Sequence, residues 1–401
     1  MAKTTGALFS LTASGMIGPR LTYSKRKSGG VCRIQKAQVS TATEAQETVR
    51  DKYQEAYKDW NTLTTSEKET FKNRTPFGIS GFNLFVKELL TRPEGIFSKE
   101  GSPFPESAAV RTVSTSFTGK YSLVTIDLKR IYKSTDYGAT WTETQPAGDV
   151  DTKTYMSAIS RSGKYQLIGV SEGRLYKSDD YGTTWTETRP EGNVSYAWRS
   201  GAFSFDEKTW WCGYTFGKIF KSTDYGITWT EVLPKGSGTG QWQTIITANN
   251  GQYVYATDYT LRLYRSNDYG ITWAETRPAG DTNQTWRRLS ASIDGKYVYC
   301  TTIDKRNYRS DDYGITWTDM KPAGDIDCAW FTLACSRNGD IVFCGQTGGK
   351  MYKSTDYGVT WEIFTEISSS NRTYTATVLS KDGKFKIIGE GASVWVATIP
   401  S

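Results

Sequence analysis

The sequence predicts an all-β, seven-bladed β-propeller with four-stranded blades, and three observations carry that prediction. The stretch Ser134-Thr-Asp136-Tyr-Gly138-Ala-Thr140-Trp141 recurs from Ser178, Ser222, Ser266, Ser310 and Ser354, always at a step of 44 residues. A self-similar period of that size marks a solenoid, a propeller or an array. Turn glycines fall fifteen residues before the motif, at Gly119, Gly163, Gly251, Gly295 and Gly339. Asp206-Glu207 takes that place in the third repeat, and Gly383 follows in register after the last motif. The 401 residues hold 14 Trp and 25 Tyr against 5 Met, a composition suited to pleated, half-buried strands.

Within one repeat, alternation of apolar and polar residues places strands near 285–292, 296–302, 306–310 and 315–320. Four short antiparallel strands in one repeat make a propeller blade. No apolar stripe of 3.6-residue period competes with that reading. After Gly383 the chain supplies strands near 384–389 and 393–399, one strand short of a blade. Upstream, Gly95-Ile-Phe-Ser-Lys-Glu-Gly-Ser-Pro103 has the shape of Gly270-Ile-Thr-Trp-Ala-Glu-Thr-Arg-Pro278. Residues near 95–102 are therefore expected to complete the last blade, joining the two ends of the ring and removing an exposed sheet edge. Seven blades is the count that follows, with six as the alternative.

The repeated Ser-x-Asp-x-Gly-x-Thr-Trp resembles the Asp-box, or BNR repeat, found in sialidases, sortilin-type receptors and photosystem assembly factors. The resemblance covers about residues 93–401. It implies that Asp136, Asp180, Asp224, Asp268, Asp312 and Asp356 are structural, each accepting backbone hydrogen bonds in a turn between the third and fourth strands. Gly138 then supplies an unusual backbone angle and Trp141 packs between sheets. A sialidase would need an arginine triad, a Tyr–Glu nucleophile pair, an acidic general acid and an Arg-Ile-Pro motif. None stands out here, and the repeats are too uniform for a one-off catalytic constellation.

Composition narrows the chemistry further. The chain has no histidine, which removes the usual general base, the commonest zinc ligand and every Ser–His or Cys–His nucleophile. No catalytic residue, metal or cofactor is expected, and the chain is read as a non-enzyme. Mean hydropathy is −0.53 and no apolar stretch is long enough to insert in a membrane. Thr, Ser and Gly interrupt the apolar run after Lys3, so the N-terminus is expected to be retained rather than removed as an export signal. Cys212, Cys300 and Cys344 share one repeat slot, ten residues before a motif, where other repeats have Val124, Ile168 and Ala256. They read as small buried apolar residues. With Cys32, Cys328 and Cys335 they form neither a metal-ligand spacing nor a disulfide framework.

Two recurrent series are candidates for binding a ligand or partner. Trp198, Trp242, Trp286 and Trp330, with Tyr374 in register, stand twenty-four residues before a motif. Such a ring could stack on sugars or grip a protein, or else wedge neighbouring blades together. Arg130, Arg174, Lys218, Arg262, Arg306 and Lys350 stand four residues before each motif and could hold anionic glycans or phosphates, or pair with Asp127, Asp258 and Asp304. A third series, Lys133, Lys177, Lys221, Arg265, Arg309 and Lys353, is expected to face Glu143, Glu187, Glu231, Glu275 and Asp319 across a hairpin. A site could instead rest on deviations from the repeat, such as Trp210-Trp211 or Arg287-Arg288.

Residues 1–90 read as a separate α+β module, with 91–401 as the propeller. Strands are expected within 5–37, a helix from the capping box Thr41-Ala-Thr-Glu44 to about Leu63, a second from Ser66, and a third over Gly81–Leu90. The first forty residues carry seven basic side chains and no acid, which accounts for the whole net charge of +7. Arg20, Lys25, Arg26, Lys27, Arg33 and Lys36 are the anchoring candidates. Leu8-Phe-Ser-Leu, Ser14-Gly-Met-Ile-Gly18, Leu21-Thr-Tyr-Ser-Lys-Arg-Lys27, the Trp60-to-Glu67 spacing and Ser80-Gly-Phe-Asn-Leu-Phe85 resemble virion proteins of tailed phages and related viruses. The Trp and Ser-Gly-Phe-Asn elements also resemble an HMG box, but their order and the strands before them argue against DNA binding.

Taken together, the expected function is that of a viral structural protein located in the virion. The basic module would bind other virion proteins of the capsid or tail. The propeller would be displayed as a decoration or as a domain binding host-surface glycan. A cellular scaffold or assembly factor gripping a partner protein is the alternative, and a sialidase-like carbohydrate-active enzyme is the third reading.

Overall fold

The computed structural model describes residues 15–16, 21–26, 29–34, 80–90, 95–97, 104, 109–236, 238–248, 251–365, 371–380, 385–391 and 393–398, with positions 57, 60, 61, 65, 68, 69 and 72. The chain divides into two compact units, Met1–Thr91 and Arg92–Ser401.

In the first unit, Gly15–Met16, Leu21–Arg26 and Gly29–Ile34 form a three-stranded antiparallel sheet. Helix Gly81–Leu90 starts where Ser80 Oγ accepts the amide of Asn83 at 3.1 Å, a hydroxyl cap on an otherwise orphan N–H. Phe82 meets the rings of Trp60 and Tyr57 edge-on at 5.6 and 6.2 Å. Residues 57, 60, 61, 65, 68, 69 and 72 are helical. The capping box at 41–44 and the ends of the two earlier helices lie outside the described residues. So do Arg20, Lys27 and Lys36. Lys25 and Arg26 pair in register with Gly30 and Gly29, and Arg33 with Thr22.

The second unit is a β-propeller fold of antiparallel four-stranded groups. Each group runs from an inner strand outwards in chain order, as in Trp286–Ala291, Val298–Thr302, Asn307–Ser310 and Thr318–Met320. Two consecutive groups, Trp198–Val232 and Gly240–Thr276, share one eight-stranded sheet, because Thr215 and Gly217 bridge to Gln241 and Gly240. Inner strands of successive groups pack side by side, and that of the last group, Tyr374–Leu379, returns to that of the first, Val110–Thr115. In the last group the outer strand is Gly95–Phe97, antiparallel to Ser393–Thr398 with Phe97 opposite Val396. This covers the edge that the C-terminal strand would otherwise expose.

Local chemistry explains the repeat. In each Asp-box the Ser hydroxyl and Asp carboxylate organise one turn. Ser310 Oγ donates to Asp312 Oδ1 at 2.8 Å and accepts the Gly314 amide at 2.8 Å, while Asp312 accepts from the Thr316 amide and hydroxyl. Tyr313 and Gly314 both take positive φ, 63° and 76°, the second of which glycine adopts without cost. Among the a–b turns, Glu207 (φ 64°) replaces the glycine. Its buried carboxylate accepts the Ser162 hydroxyl at 2.8 Å and the Ser162 amide from the preceding group.

The Asp-box also latches neighbours together. Thr144 and Lys133 both donate to the Gly182 carbonyl in the next group, at 3.1 and 2.9 Å, and Thr188 and Lys177 do the same to Gly226. The Asp-box Trp185, Trp229 and Trp317 donate back to Thr144, Thr188 and Thr276. This corrects the expected Lys133-type pairing with Glu143. The register sets Lys133 opposite Thr142 and Tyr132 opposite Glu143, so the ammonium reaches the next group instead. Lys353 lies 3.5 Å from Glu362, its register partner, which stands at the position of Thr142 and is not among the acids expected.

Candidate functional site

The inner strand of every group carries a β-bulge near its start. In the group of Trp286, that residue pairs with Thr302 and Arg288 pairs with Thr301, which leaves Arg287 without a partner residue. The same irregularity isolates Arg111, Tyr155, Arg199, Gln243, Phe331 and Thr375 in the other groups. A bulge re-aims the side chain it frees. Here all of these residues line one cavity of about 50 Å³, joined by Ala109, Val110 and Arg288. All the bulged residues are half-buried. Residues one position earlier, by contrast, are fully packed.

The cavity is electropositive. Arg111 and Arg199 lie over the ring of Tyr155, with guanidinium carbons 4.7 and 4.0 Å from its centroid, and Arg287 lies 3.9 Å from that of Phe331. Arg111 donates to Tyr155 Oη at 3.3 Å, and Arg199 Nε donates to Thr215 Oγ1 at 3.2 Å. Asp127 Oδ1 sits 3.1 Å from Arg111 Nε, off the N–H direction, so it is a charge contact rather than a hydrogen bond. Arg287 Nε is buried and has no hydrogen-bond partner. Arg288 makes no hydrogen bond or ion pair among the described residues. Burial, then repulsion by Arg287, Arg199 and Arg111, pushes its guanidinium down to about 9, still protonated at neutral pH. Burial likewise lowers Arg199 and Arg287.

The aromatic series lies elsewhere. Trp198, Trp242, Trp286, Trp330 and Tyr374 are 0–2% exposed, packed with the cores between neighbouring groups. Trp242 Nε1 donates to the Gly217 carbonyl at 3.0 Å and Trp286 Nε1 to that of Leu261 at 3.3 Å. No face of these rings is open to a sugar. Five of the six basic residues four positions before a box are clamped by acids at the rim. Arg130 meets Glu143, Asp149 and Asp151, and Arg174 meets Glu187. Lys218 meets Glu191 and Glu231, Arg262 meets Glu275 and Asp281, and Arg306 meets Asp319, Asp325 and Asp327. Lys350 is bound through its amide to Gln346 Oε1 at 2.9 Å. Asp127 and Asp258, expected to serve this series, pair with Arg111 and Lys235 instead.

A larger groove of about 400 Å³ lies at the outer edge between the fourth strand at Thr230–Val232 and the box at Gly270–Trp273. It is lined by Val232 and Leu233, where three other repeats have Thr144 and Gln145, Thr188 and Arg189, or Thr276 and Arg277. Cys212, Cys300 and Cys344 are fully buried and burial pushes their thiols well up. The described residues hold no cluster of acids and cysteines able to bind a metal, and no helix among them is long and apolar enough to cross a membrane.

Arg287 and Arg288, named from the sequence as a deviation on which a site could rest, both line this cavity; the other members of the bulged ring escaped the sequence reading by one residue. Its one visible signal is a repeat column without a shared residue type (Arg, Tyr, Arg, Gln, Arg, Phe, Thr) directly after a column of conserved bulk.

Comparison with known proteins agrees with the turn chemistry. The BNR-Asp box repeat family matches residues 175–188, 219–232, 263–276 and 308–320. No curated protein matches the chain in sequence. Among solved structures, YCF48 bound to D1 peptide is similar at 14% identity and TM-score 0.59, over 77% of this chain and 97% of that one. YCF48 from Cyanidioschyzon merolae is similar at 13% identity and TM-score 0.59, over 76% and 98%. The GH74 xyloglucanase from Xanthomonas campestris is similar at 14% identity and TM-score 0.60, over 76% of this chain and 53% of that chain. At these identities the likeness is one of fold. The chain carries Asp-box repeats on a β-propeller.

Proposed function

We propose that the chain is a non-enzymatic binding and display protein, a seven-bladed propeller whose bulged channel mouth recognises a ligand or partner. The basic first unit would attach it to a larger assembly, for which the sequence points to a virion. The observation that carries this reading is the bulged ring. The two candidate series named from the sequence are taken up by packing and by the rim, whereas this position holds half-buried groups of varied type that line one cavity. The circle of inner-strand contacts and the closing strand Gly95–Phe97 support the count of seven. The acid-clamped rim and buried indoles leave a glycan no stacking surface in the two series considered first, so recognition is assigned to the mouth.

Peptide mass spectrometry across a density gradient of particles from the source culture tests the display reading. Stoichiometric co-sedimentation with a capsid protein is the expected result. Recovery only in the soluble fraction would overturn it in favour of the second reading, a cellular assembly factor. The fold likeness to YCF48, whose solved complex holds a D1 peptide, keeps that second reading in play.

A further inference from the structure

We propose that the channel mouth binds a phosphate-class oxyanion, held by Arg111, Arg199, Arg287 and Arg288. The proposal rests on the reading of this mouth as the binding face. Four guanidinium groups border a cavity of about 50 Å³, and one carboxylate, that of Asp127, answers them. Contact with the same Tyr155 ring keeps the Arg111 and Arg199 guanidinium carbons within about 9 Å of each other, a separation comparable with the screening length of physiological salt. Like charges held that close in a half-buried cavity repel; Asp127 answers Arg111 and the Tyr259 hydroxyl bonds Arg287, but among the described residues no second carboxylate meets the four arginines. The excess of three positive charges calls for a multiply charged anion rather than a single carboxylate.

Geometry agrees with charge. A guanidinium stacked on an aromatic face leaves its N–H edge free to fork onto oxyanion oxygens. Arg199 and Arg287 are stacked in this way, on Tyr155 and Phe331. Buried Arg287 Nε has no acceptor of its own. Arg288 is the charged member of a column that has a hydroxyl in four other repeats (Thr112, Ser200, Thr244 and Thr332) and an apolar residue in two (Met156 and Ala376). In the first group that Thr bonds its neighbour on the second strand, Thr112 Oγ1 to Thr125 Oγ1 at 2.9 Å. Arg288 forgoes such a bond, and the equivalent Thr301 hydroxyl is left without a partner. A cation placed at the expense of a local hydrogen bond, beside three others, is the signature of an anion site. The cavity is too small for a sugar ring and has room for one tetrahedral oxyanion.

The test is calorimetric titration of the full chain with inorganic phosphate at fixed ionic strength, balanced with chloride. Two variants replace an arginine by the residue other repeats use at that position, so both keep the fold: Arg288→Thr and Arg287→Gln. Binding by the wild type, weakened about tenfold or more in each variant, is the expected result. Absence of heat, or equal binding by all three proteins, overturns the proposal. A phosphomonoester added in a parallel arm distinguishes free phosphate from an esterified source, the tighter of the two being the ligand form. An oligo-glutamate peptide that binds at the mouth while phosphate does not compete would also overturn the proposal, yet leave the mouth standing as the binding face. Loss of both phosphate and peptide binding would remove the face itself.

Discussion

Replacing Thr276 by Val isolates what one inter-blade latch contributes. The Thr276 hydroxyl is 5% exposed, donates to the Gly314 carbonyl at 2.7 Å and accepts from Trp317 Nε1 at 2.7 Å. Removing it orphans a buried acceptor and a part-buried donor, which if left unmade would cost about 2–6 kcal/mol together. The protein already contains the outcome of such a change. Val232 occupies the equivalent position one repeat earlier, and the facing Trp273 turns its Nε1 to its own Gly270 carbonyl at 3.2 Å. Trp361, facing Met320, does likewise with Gly358 at 3.1 Å. The same rotation in the variant lets Trp317 bond Gly314 directly, so the net loss is one hydrogen bond, about 1 kcal/mol, or a fall of about 2 °C in the thermal midpoint. Urea and thermal unfolding measure it, with Val232→Thr as the reverse change, expected to raise the midpoint by a similar amount. Adding Trp317→Phe to Thr276→Val removes the rescuing donor and should cost about 2 kcal/mol more than the single change. A loss above about 3 kcal/mol for Thr276→Val alone, or destabilisation by Val232→Thr, would refute the re-pairing argument.

Other expectations follow from the same contacts. The Thr228 hydroxyl and amide pull Asp224 down to about 2, and Asp356 also stands at about 2 because Thr360 and Ser354 donate to it against the upward push of burial. These folded values lie below the unfolded one, so their stabilisation is whole above about pH 4 and drains away as pH falls towards 2. Thermal midpoints should therefore be flat from pH 7 to 5 and drop below 4, with a shallower drop in Asp224→Asn. Trp286→Ala should cost about 3–5 kcal/mol in urea unfolding, because the indole is 1% exposed in the core between blades; a loss under 1 kcal/mol would contradict its packing role. Glu207→Gly relaxes a positive φ but removes both bonds to Ser162, and a net destabilisation is expected from the buried bonds; an increase in midpoint would show that backbone strain dominates. Thiol labelling of native protein, read by peptide mass spectrometry, should modify Cys328 before Cys212, Cys300 and Cys344, which burial keeps protonated and out of reach.

The architecture was legible because each repeat states the same local solution. The Ser-x-Asp-x-Gly-x-Thr-Trp turn is closed by its own side chains, so its spacing alone dictates strand, turn and strand. Strands near 285–292 and 296–302 were read within a residue or two of Trp286–Ala291 and Val298–Thr302. Even the closing strand was legible, since Gly95-Ile-Phe kept the shape of an outer strand. Pairing partners were harder to read. Whether Lys133 meets Glu143 or the next blade depends on a hairpin register one residue long, and a one-residue slip changes the face on which every side chain stands.

The bulge hid the binding face for a related reason. A residue inserted in every copy leaves the period unchanged, so no irregularity of spacing betrays it, while it inverts the expected facing of everything before it. The repeat makes Trp286 a mouth candidate and marks Arg287-Arg288 only as a deviation; the extra residue buries Trp286 and turns Arg287 to the mouth. Yet the same device explains why function can gather there. A repeat constrains each position by what its equivalents touch in neighbouring blades, and those contacts fix Trp, Thr, Ser, Asp and Gly in column after column. The bulged residue has no partner across the ladder and faces the axis, so nothing in the repeat selects its identity. Arg111, Arg199 and Arg287, joined by Arg288 where four other repeats have a hydroxyl, thus gather like charge around one cavity among the described residues of the propeller. A bound anion would offset that repulsion, which favours the mouth over the more numerous rim cations, most with acids of their own, as the place of the proposed ligand.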